Sequence, residues 1–233
     1  MKKLVILTGA GMSVESGLST FRDSGGMWDN YRVEDVATPG GFARNPEMVN
    51  NFYNQMRRKL QTIRPCRGHE LLAELENDFD VTIITQNVDD LHERAGSRHV
   101  IHLHGELTKV TSSREPNNPN YIRTLKPEEW EVKSTDKAPD GSRLRPFIVW
   151  FEEPVPKIEE AIDITSRADI FVIIGTSLVV YPAASLIRFV PANAPVYLID
   201  PKPVKGYRPQ GTITQIQKSA TPGLEELIPL LKK

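Results

Sequence analysis

Cysteine is almost missing from this sequence: among 233 residues there is one, Cys66. It can form neither an internal disulfide nor a cysteine-based zinc site. Aromatic residues are sparse at 7%, and neither sign of charge dominates, the formal net charge being -1. That balance offers no electrostatic footprint for DNA or an anionic bilayer, so neither nucleic acid nor membrane is expected as a partner. Long apolar runs are lacking too. The stretch Leu4-Val5-Ile6-Leu7 stops at Thr8-Gly9, too short for a secretory signal or for the roughly 20 residues of a bilayer span. The expected setting is cytoplasmic.

What is present is alternation. Short apolar runs at Leu4 to Thr8, Val81 to Thr85, Val100 to Leu103, Pro146 to Phe151, Ile170 to Ile174 and Val196 to Ile199 predict strands, several covered on both faces. Between them stand helical patterns. Asn45-Pro46 offers a cap and a first-turn proline for a helix carrying Val49, Phe52, Met56 and Leu60, and Leu224, Leu227, Ile228 and Leu231 predict a closing helix. The pattern predicts an α/β fold with a doubly wound, mostly parallel, Rossmann-like sheet. Its domain would comprise residues 1–106 and 146–233, with a loop and helical insertion at 18–68. Residues 107–145, polar and rich in Pro, Asn, Ser and Lys, would form a smaller inserted module or an extended loop.

Four segments carry candidate chemistry, each at the carboxyl end of a predicted strand, where open α/β sheets bind ligands. Gly9-Ala10-Gly11-Met12-Ser13 suits a backbone that approaches a phosphate before a helix N-terminus, although the third glycine of the dinucleotide fingerprint is replaced by Val14; a plain strand-to-helix turn is the alternative. Within Thr85-Gln86-Asn87-Val88-Asp89, Asn87 and Asp89 suit an amide or a ribose, or else cap the next helix. His102 and His104 would share a face in a strand: His102 reads as a buried structural histidine or half of a metal pair, His104 as a general base. Gly175-Thr176-Ser177 suits phosphate or ribose contacts, or ordinary turn chemistry.

Taken together these segments closely resemble the sirtuin family. The matching pieces run in order: Gly9 to Gly17, Thr20-Phe21-Arg22, Thr85 to Asp89, His104-Gly105, Arg145-Pro146 with Phe147 to Phe151, and Gly175 to Leu178. The stretch Asp35 to Pro39, with Phe52-Tyr53-Asn54, looks most like the bacterial deacylases of that family. The resemblance implies NAD as cofactor and acylated lysine side chains of proteins as substrate. It implies a cofactor site of Gly9, Ala10, Gly11, Ser13, Glu15, Thr20, Phe21, Arg22, Trp28, Gln86, Asn87, Asp89, Gly175, Thr176, Ser177, Asp200 and Ala220. His104 and Asn87 would be catalytic, His104 activating a ribose hydroxyl and Asn87 holding the nicotinamide amide. Ala37, Tyr53, Met56, Val149 and Phe151 would bind the acylated substrate. Nicotinamide and an O-acyl-ADP-ribose would be released.

The sequence departs from the family in four places. The two Cys-x-x-Cys pairs of a structural zinc are missing, with Ser112 and Glu115 where the first pair would fall, so no metal is expected and packing of Tyr121, Ile122, Leu125 and Trp130 would replace it. Tyr53 matches the tyrosine of relatives that remove succinyl groups, but Met56 stands where they carry arginine; Arg57, one residue on, is an imperfect substitute. Neutral acyl groups are therefore expected over succinyl. Phe151-Glu152-Glu153 replaces Phe-Gly-Glu, and Asp200 replaces a ribose-contacting asparagine. The rival readings are ADP-ribosyl transfer to protein from the same site, a non-catalytic NAD-binding regulator, and a hydride-transferring dehydrogenase.

Overall fold

The computed structural model describes residues 1–18, 31–204 and 211–232. Six strands form one parallel sheet: β1 (Lys3–Thr8), β2 (Asp80–Thr85), β3 (Val100–His102), β7 (Ile170–Ile174), β8 (Val196–Ile199) and β9 (Ile213–Ile216), in the order β3-β2-β1-β7-β8-β9. Strand order reverses between β1 and β7, which puts a crevice at the carboxyl ends of those two strands.

Alternate residues of β1 explain the two-sided winding. Leu4 and Ile6 join a buried cluster with Leu71, Leu72 and Leu75, on and just after helix α4 (Arg67–Glu74), and with Leu224, Leu227 and Leu231 of helix α7 (Ala220–Leu231). Val5 and Leu7 join another with Phe171, Ile173, Ala161 of helix α6 (Ile158–Thr165) and the 3-10 stretch Ala183–Phe189. A side chain every second residue points to each face, and each large apolar side chain so buried contributes about 1.5–3 kcal/mol. The expected doubly wound sheet is the one observed. Helix α7 begins at Ala220, earlier than its apolar repeat suggested, because Thr221-Pro222 forms its first turn.

A second, three-stranded antiparallel sheet is built from β4 (Gly105–Ser112), β5 (Arg123–Thr124) and β6 (Leu144–Ile148), in the order β5-β4-β6. Two strand expectations need correction here. The run Pro146 to Phe151 does not extend the parallel sheet; its first part is β6, paired antiparallel with β4 from Gly105↔Ile148 to Ser112↔Leu144. Apolar periodicity marks a buried strand but not its partner. Strand β3 stops at His102, and Leu103-His104 turn away before β4. The short strand β9 was not foreseen.

Three helices precede this module in the chain and pack beside it: α1 (Val33–Val36), α2 (Pro39–Arg44) and α3 (Pro46–Gln61). As expected, Asn45 caps α3, its Oδ1 accepting from Met48 N–H at 3.0 Å, with Pro46 in the first turn. The inner face of α3 grips the module by its backbone. Asn54 exchanges two hydrogen bonds of 2.9 Å with the main chain of Val132, and Arg57 Nε donates to Leu107 O at 2.8 Å. Helix α5 (Leu91–Arg94) completes the set, and no described helix is long and apolar enough to cross a membrane.

The module's apolar centre is Val110, Leu125, Val132, Ala138 and Leu144 with Trp130 beside it. Of the residues expected there, Leu125 and Trp130 take part, whereas Tyr121 and Ile122 stay half-exposed outside it. Polar contacts hold the rest. The wholly buried Ser112 hydroxyl donates to Asp140 Oδ2 at 2.6 Å, lies 2.9 Å from Ser142 Oγ, and accepts from the N–H groups of Arg114 and Glu115 at 3.0 Å each. Ser112→Ala would strip this turn of its hub, and we expect a loss of about 1–3 kcal/mol of folding free energy, read as a lowered urea midpoint. An unchanged midpoint would mean that the apolar centre alone holds the module.

Candidate functional site at the carboxyl edge of the parallel sheet

The carboxyl ends of β1, β2 and β7 bring the glycine turn, the Gln86-Asn87-Asp89 segment and the Gly175 turn onto one rim. Gly9 N–H donates to Ile174 O and Gly11 N–H to Gly175 O, each at 2.9 Å. Gly9 and Gly11 thus serve a contact between two turns before they serve any ligand. Thr176 closes the same side, its Oγ1 accepting from Gln86 Nε2 at 3.1 Å. Ala10 and Thr176 are half-buried and Ser177 is exposed. Asp200, at the end of β8, accepts from Lys202 N–H at 2.9 Å.

Ser13 ties this turn to β2. Its hydroxyl accepts from Asn87 Nδ2 at 3.1 Å and donates to Asp89 Oδ2 at 3.0 Å, while Asn87 Nδ2 also reaches Gly9 O at 3.0 Å. Asn87 and Asp89 are both buried, and burial raises the pKa of the Asp89 carboxyl despite its bonds from Leu91 N–H and Ser13. The capping alternative holds for Asp89, whose Oδ1 accepts from the first N–H of α5 at 3.1 Å. Asn87 keeps its carboxamide oxygen unspent among the described residues.

Beneath these groups lies a polar column that sequence reasoning missed. His92 Nε2 meets Thr8 Oγ1 at 3.1 Å, Thr8 Oγ1 donates to Thr85 Oγ1 at 2.8 Å, and Thr85 Oγ1 accepts from Asn87 N–H at 3.0 Å. The only sequence signal was a threonine closing each of two otherwise apolar strands. His102 lies alongside, its Nδ1 3.0 Å from Asn87 O and its Nε2 2.7 Å from Glu93 Oε1. Burial alone would lower its pKa, but the hydrogen bond and charge of Glu93 raise it, so both nitrogens donate. His102 is the buried structural histidine, with both its nitrogens committed.

His104 follows where the chain turns, so the shared face expected for a strand does not form. Its Nδ1 is 3.0 Å from Gln86 O. A carbonyl only accepts, so Nδ1 carries the proton and Nε2 is left as the basic nitrogen. Burial lowers the imidazole's pKa, partly countered by that carbonyl. Gly105 is required by packing. At φ +82 a Cβ there would stand 2.2 Å from Phe147 O, so the glycine admits β6.

The remaining residues fall around this rim. Val149 N–H donates to His104 O at 2.9 Å, and Phe151 N–H to Ala37 O at 3.0 Å. Ala37, Tyr53 and Trp150 share a buried apolar cluster with Phe42, Phe52 and Ile148, and Met56 and Val88 pack against it. Phe151 is exposed. Arg57 is no stand-in for the missing arginine: it is wholly buried, bonded to Leu107 O and Asn54 Oδ1, and pushed down to about 10 by burial. Glu15 accepts from Thr221 N–H at 3.1 Å, while Ala220 packs with Met12 and Ile199. Thr20, Phe21, Arg22 and Trp28 lie outside the described residues. Glu152, in the glycine position of the family motif, sits at φ 73, a left-handed conformation costing a side chain roughly 1–2 kcal/mol. Glu152→Gly is accordingly expected to raise the melting temperature, and a lowered one would mean that the carboxylate repays its strain.

Known proteins share this arrangement. The profile of the Sir2 family matches residues 9–182. An NAD-dependent protein deacylase of Bacteroides thetaiotaomicron is 65% identical over 99% of this chain and 98% of its own, and one of Helicobacter pylori is 48% identical over the same shares. Among solved structures, a Sir2 homologue with ADP-ribose superposes with a TM-score of 0.86 and one with NAD with 0.85. Both are 39% identical over 99% of this chain, and over 92% and 90% of their own. With the profile spanning most of the chain and relatives matching it almost from end to end, this protein belongs to the Sir2, or sirtuin, family.

Proposed function

We propose that this chain is an NAD-dependent protein-lysine deacylase that releases nicotinamide and O-acyl-ADP-ribose. One observation carries the chemistry: His104, its Nδ1 committed to Gln86 O, keeps Nε2 as a base on the rim that also holds Asn87 and the glycine turns. The donor set suits a dinucleotide. Hydroxyls at Thr176 and Ser177, a carboxylate at Asp200 and the unspent Asn87 oxygen match ribose and an amide, on a rim that the packed turns of Gly9, Gly11 and Gly175 hold together. NAD, when bound, supplies the ribose carbon that takes the acyl group as nicotinamide leaves. Asn87 is fixed for its role by Ser13 and Gly9 on the side chain and by Thr85 and His102 on the backbone. His104 takes the proton of the attacking hydroxyl. The relatives' names support protein substrates, as does a Sir2 structure with a peptide and NAD, 30% identical to this chain with a TM-score of 0.75.

A base works only when neutral. With its pKa held below the usual histidine value of about 6.5, His104 stays neutral at pH 7 and is lost as a base only when acid reaches that lowered pKa. We expect the acid limb of kcat/KM to fall below pH 6.5 and to vanish, with most of the activity, in His104→Ala; such general-base groups contribute about 10²–10⁴-fold. An acetyl-lysine peptide incubated with NAD, read by mass spectrometry, should lose its acyl mass as O-acyl-ADP-ribose accumulates. A gain of ADP-ribose on the protein instead would make the chain a transferase.

Neutral acyl groups are the proposed substrates. Met56 brings no charge to the wall, and Arg57 is wholly buried and tied through Nε and Nη1 to Leu107 O and Asn54 Oδ1. Met56→Arg should raise kcat/KM on succinyl-lysine relative to acetyl-lysine by about tenfold or more; no change in that ratio would show that position 56 does not set the preference. The small module is proposed to hold no zinc, the Ser112 cluster joining the turns a metal would join, and a cytoplasmic setting goes with a lone free thiol. One zinc per chain by atomic absorption would refute the metal-free reading.

A further inference from the structure

Successive carbonyls at the end of β2, those of Thr85, Gln86, Asn87 and Val88, are all taken by the segment 102–107. Leu103 N–H donates to Thr85 O at 2.9 Å and Leu107 N–H to Val88 O at 2.7 Å. Between them, two imidazoles do the same: His104 Nδ1 lies 3.0 Å from Gln86 O, and His102 Nδ1 3.0 Å from Asn87 O. A backbone N–H keeps its proton at any working pH, whereas an imidazole does not. The hold on Asn87 O therefore depends on the protonation of His102.

His102 has an acceptor on each side. Opposite Asn87 O, its Nε2 is 2.7 Å from Glu93 Oε1. A carbonyl and a carboxylate only accept, so the ring satisfies both only as an imidazolium. Burial works against that charge, but the hydrogen bond and charge of Glu93, the Asn87 carbonyl and the charge of Glu106 outweigh it and leave the pKa raised. Lys109 is paired with Glu106 at 2.7 Å. The other groups that feel the ring are Asp89, whose own pKa burial raises, and His92, which burial keeps neutral. His104 meets only burial and the Gln86 carbonyl, and its pKa is lowered. Neighbouring carbonyls are thus gripped by one charged ring and one neutral ring.

Loss of the His102 proton has a direct consequence for Asn87. The one proton left on the ring goes to the stronger acceptor, and a carboxylate outranks a carbonyl. Nδ1 then turns a bare lone pair toward Asn87 O, and the carbonyl is repelled by the atom that had held it.

We propose that Glu93 and His102 form a positioning pair for Asn87: as an imidazolium, His102 fixes the Asn87 peptide and with it the carboxamide at the nicotinamide end of the site, and on losing its proton it releases them. This rests on the deacylase reading and adds an alkaline limb governed by a buried residue. Because the pKa is raised, the hold is intact below the usual histidine value of 6.5 and is lost as pH rises through the raised value.

Two readouts separate this role from a merely structural one. The first needs no cofactor: the ring nitrogen resonances of the ligand-free protein are followed by NMR from about pH 6 to about pH 10, His102 being assigned by its absence in His102→Gln. His102 should carry both ring protons at about pH 7 and lose one at higher pH, and the Asn87 side-chain amide should shift with the same midpoint. Glu93→Gln keeps the shape, removes the charge and brings an amide N–H to Nε2, so there His102 should be neutral with Nδ1–H still on Asn87 O. If His102→Gln does not fold, the resonance that Glu93→Gln shifts supplies the assignment. The second readout is exchange of labelled nicotinamide into NAD beside an acetyl-lysine peptide, which does not call on the hydroxyl attack served by His104. In the wild type it should fall about tenfold or more as His102 deprotonates, the worth of one charge-assisted hydrogen bond. In Glu93→Gln that alkaline fall should disappear. A His102 already neutral at about pH 7, an Asn87 amide that ignores its titration, or an alkaline fall that Glu93→Gln retains, overturns the positioning pair, while loss of acyl mass from the peptide leaves the deacylase reading standing. Neither exchange nor loss of acyl mass at any pH overturns both.

Discussion

Two turns meet backbone to backbone above the central strands, and the rim is assembled from that meeting. A Cβ on Gly9 would lie 2.7 Å from Gly175 O, one on Gly11 2.6 Å from Gly175 Cα, and one on Gly175, at φ +62, 2.5 Å from Met12 N. No side chain can be added to any of the three without parting β1 from β7 at their carboxyl ends. The parallel register of β1 with β2 and β7 brings the turns to the same height, and the glycines let them touch. Only then does Ser13 reach Asn87 and Asp89 together.

The second constraint is the satisfaction of polar groups in a dry place. Asn87 is held through its side chain by Gly9 and Ser13, through its N–H by Thr85 and through its carbonyl by His102. Thr85 is itself occupied by Thr8, His102 by Glu93, Ser13 by Asp89 and Gly9 O by Met12 N–H. Such a network costs little only when complete, and when complete it fixes one orientation. What the network leaves over is the Asn87 carboxamide oxygen, without a partner among the described residues. His104 is organised the same way: the Gln86 carbonyl fixes its tautomer and leaves Nε2 as the basic nitrogen.

Legibility in the sequence followed the length of each signal. The strands of the parallel sheet other than β9 showed as apolar runs, and the glycine turns, Asn87 and His104 showed because each follows such a run. What stayed hidden was partnership. Leu144–Ile148 looked like a strand of the main sheet since nothing in its pattern says that Gly105–Ser112 is its neighbour. The column His92–Thr8–Thr85 joins residues 77 and 84 positions apart, and two threonines at strand ends announce nothing by themselves. Arg57 was misjudged for a related reason. Helical spacing placed it near the substrate face but could not show that a backbone carbonyl from another module had claimed it.

Helix α3 joins these threads, because it serves the module and the pocket from neighbouring positions. Asn50, Asn54 and Arg57 point their polar atoms at the backbone of Leu107, Val132, Lys133 and Leu144, while Phe52, Tyr53 and Met56 line or abut the apolar wall. The Arg57 guanidinium is buried without a carboxylate: Leu107 O takes Nε–H and Asn54 Oδ1 takes Nη1–H, while Nη2 has no partner among the described residues. Pulling it toward a negative acyl chain would strand Leu107 O, in the strand that begins next to His104. Position 57 therefore belongs first to the contact between helix and module, with its Nη2 left unpartnered among the described residues.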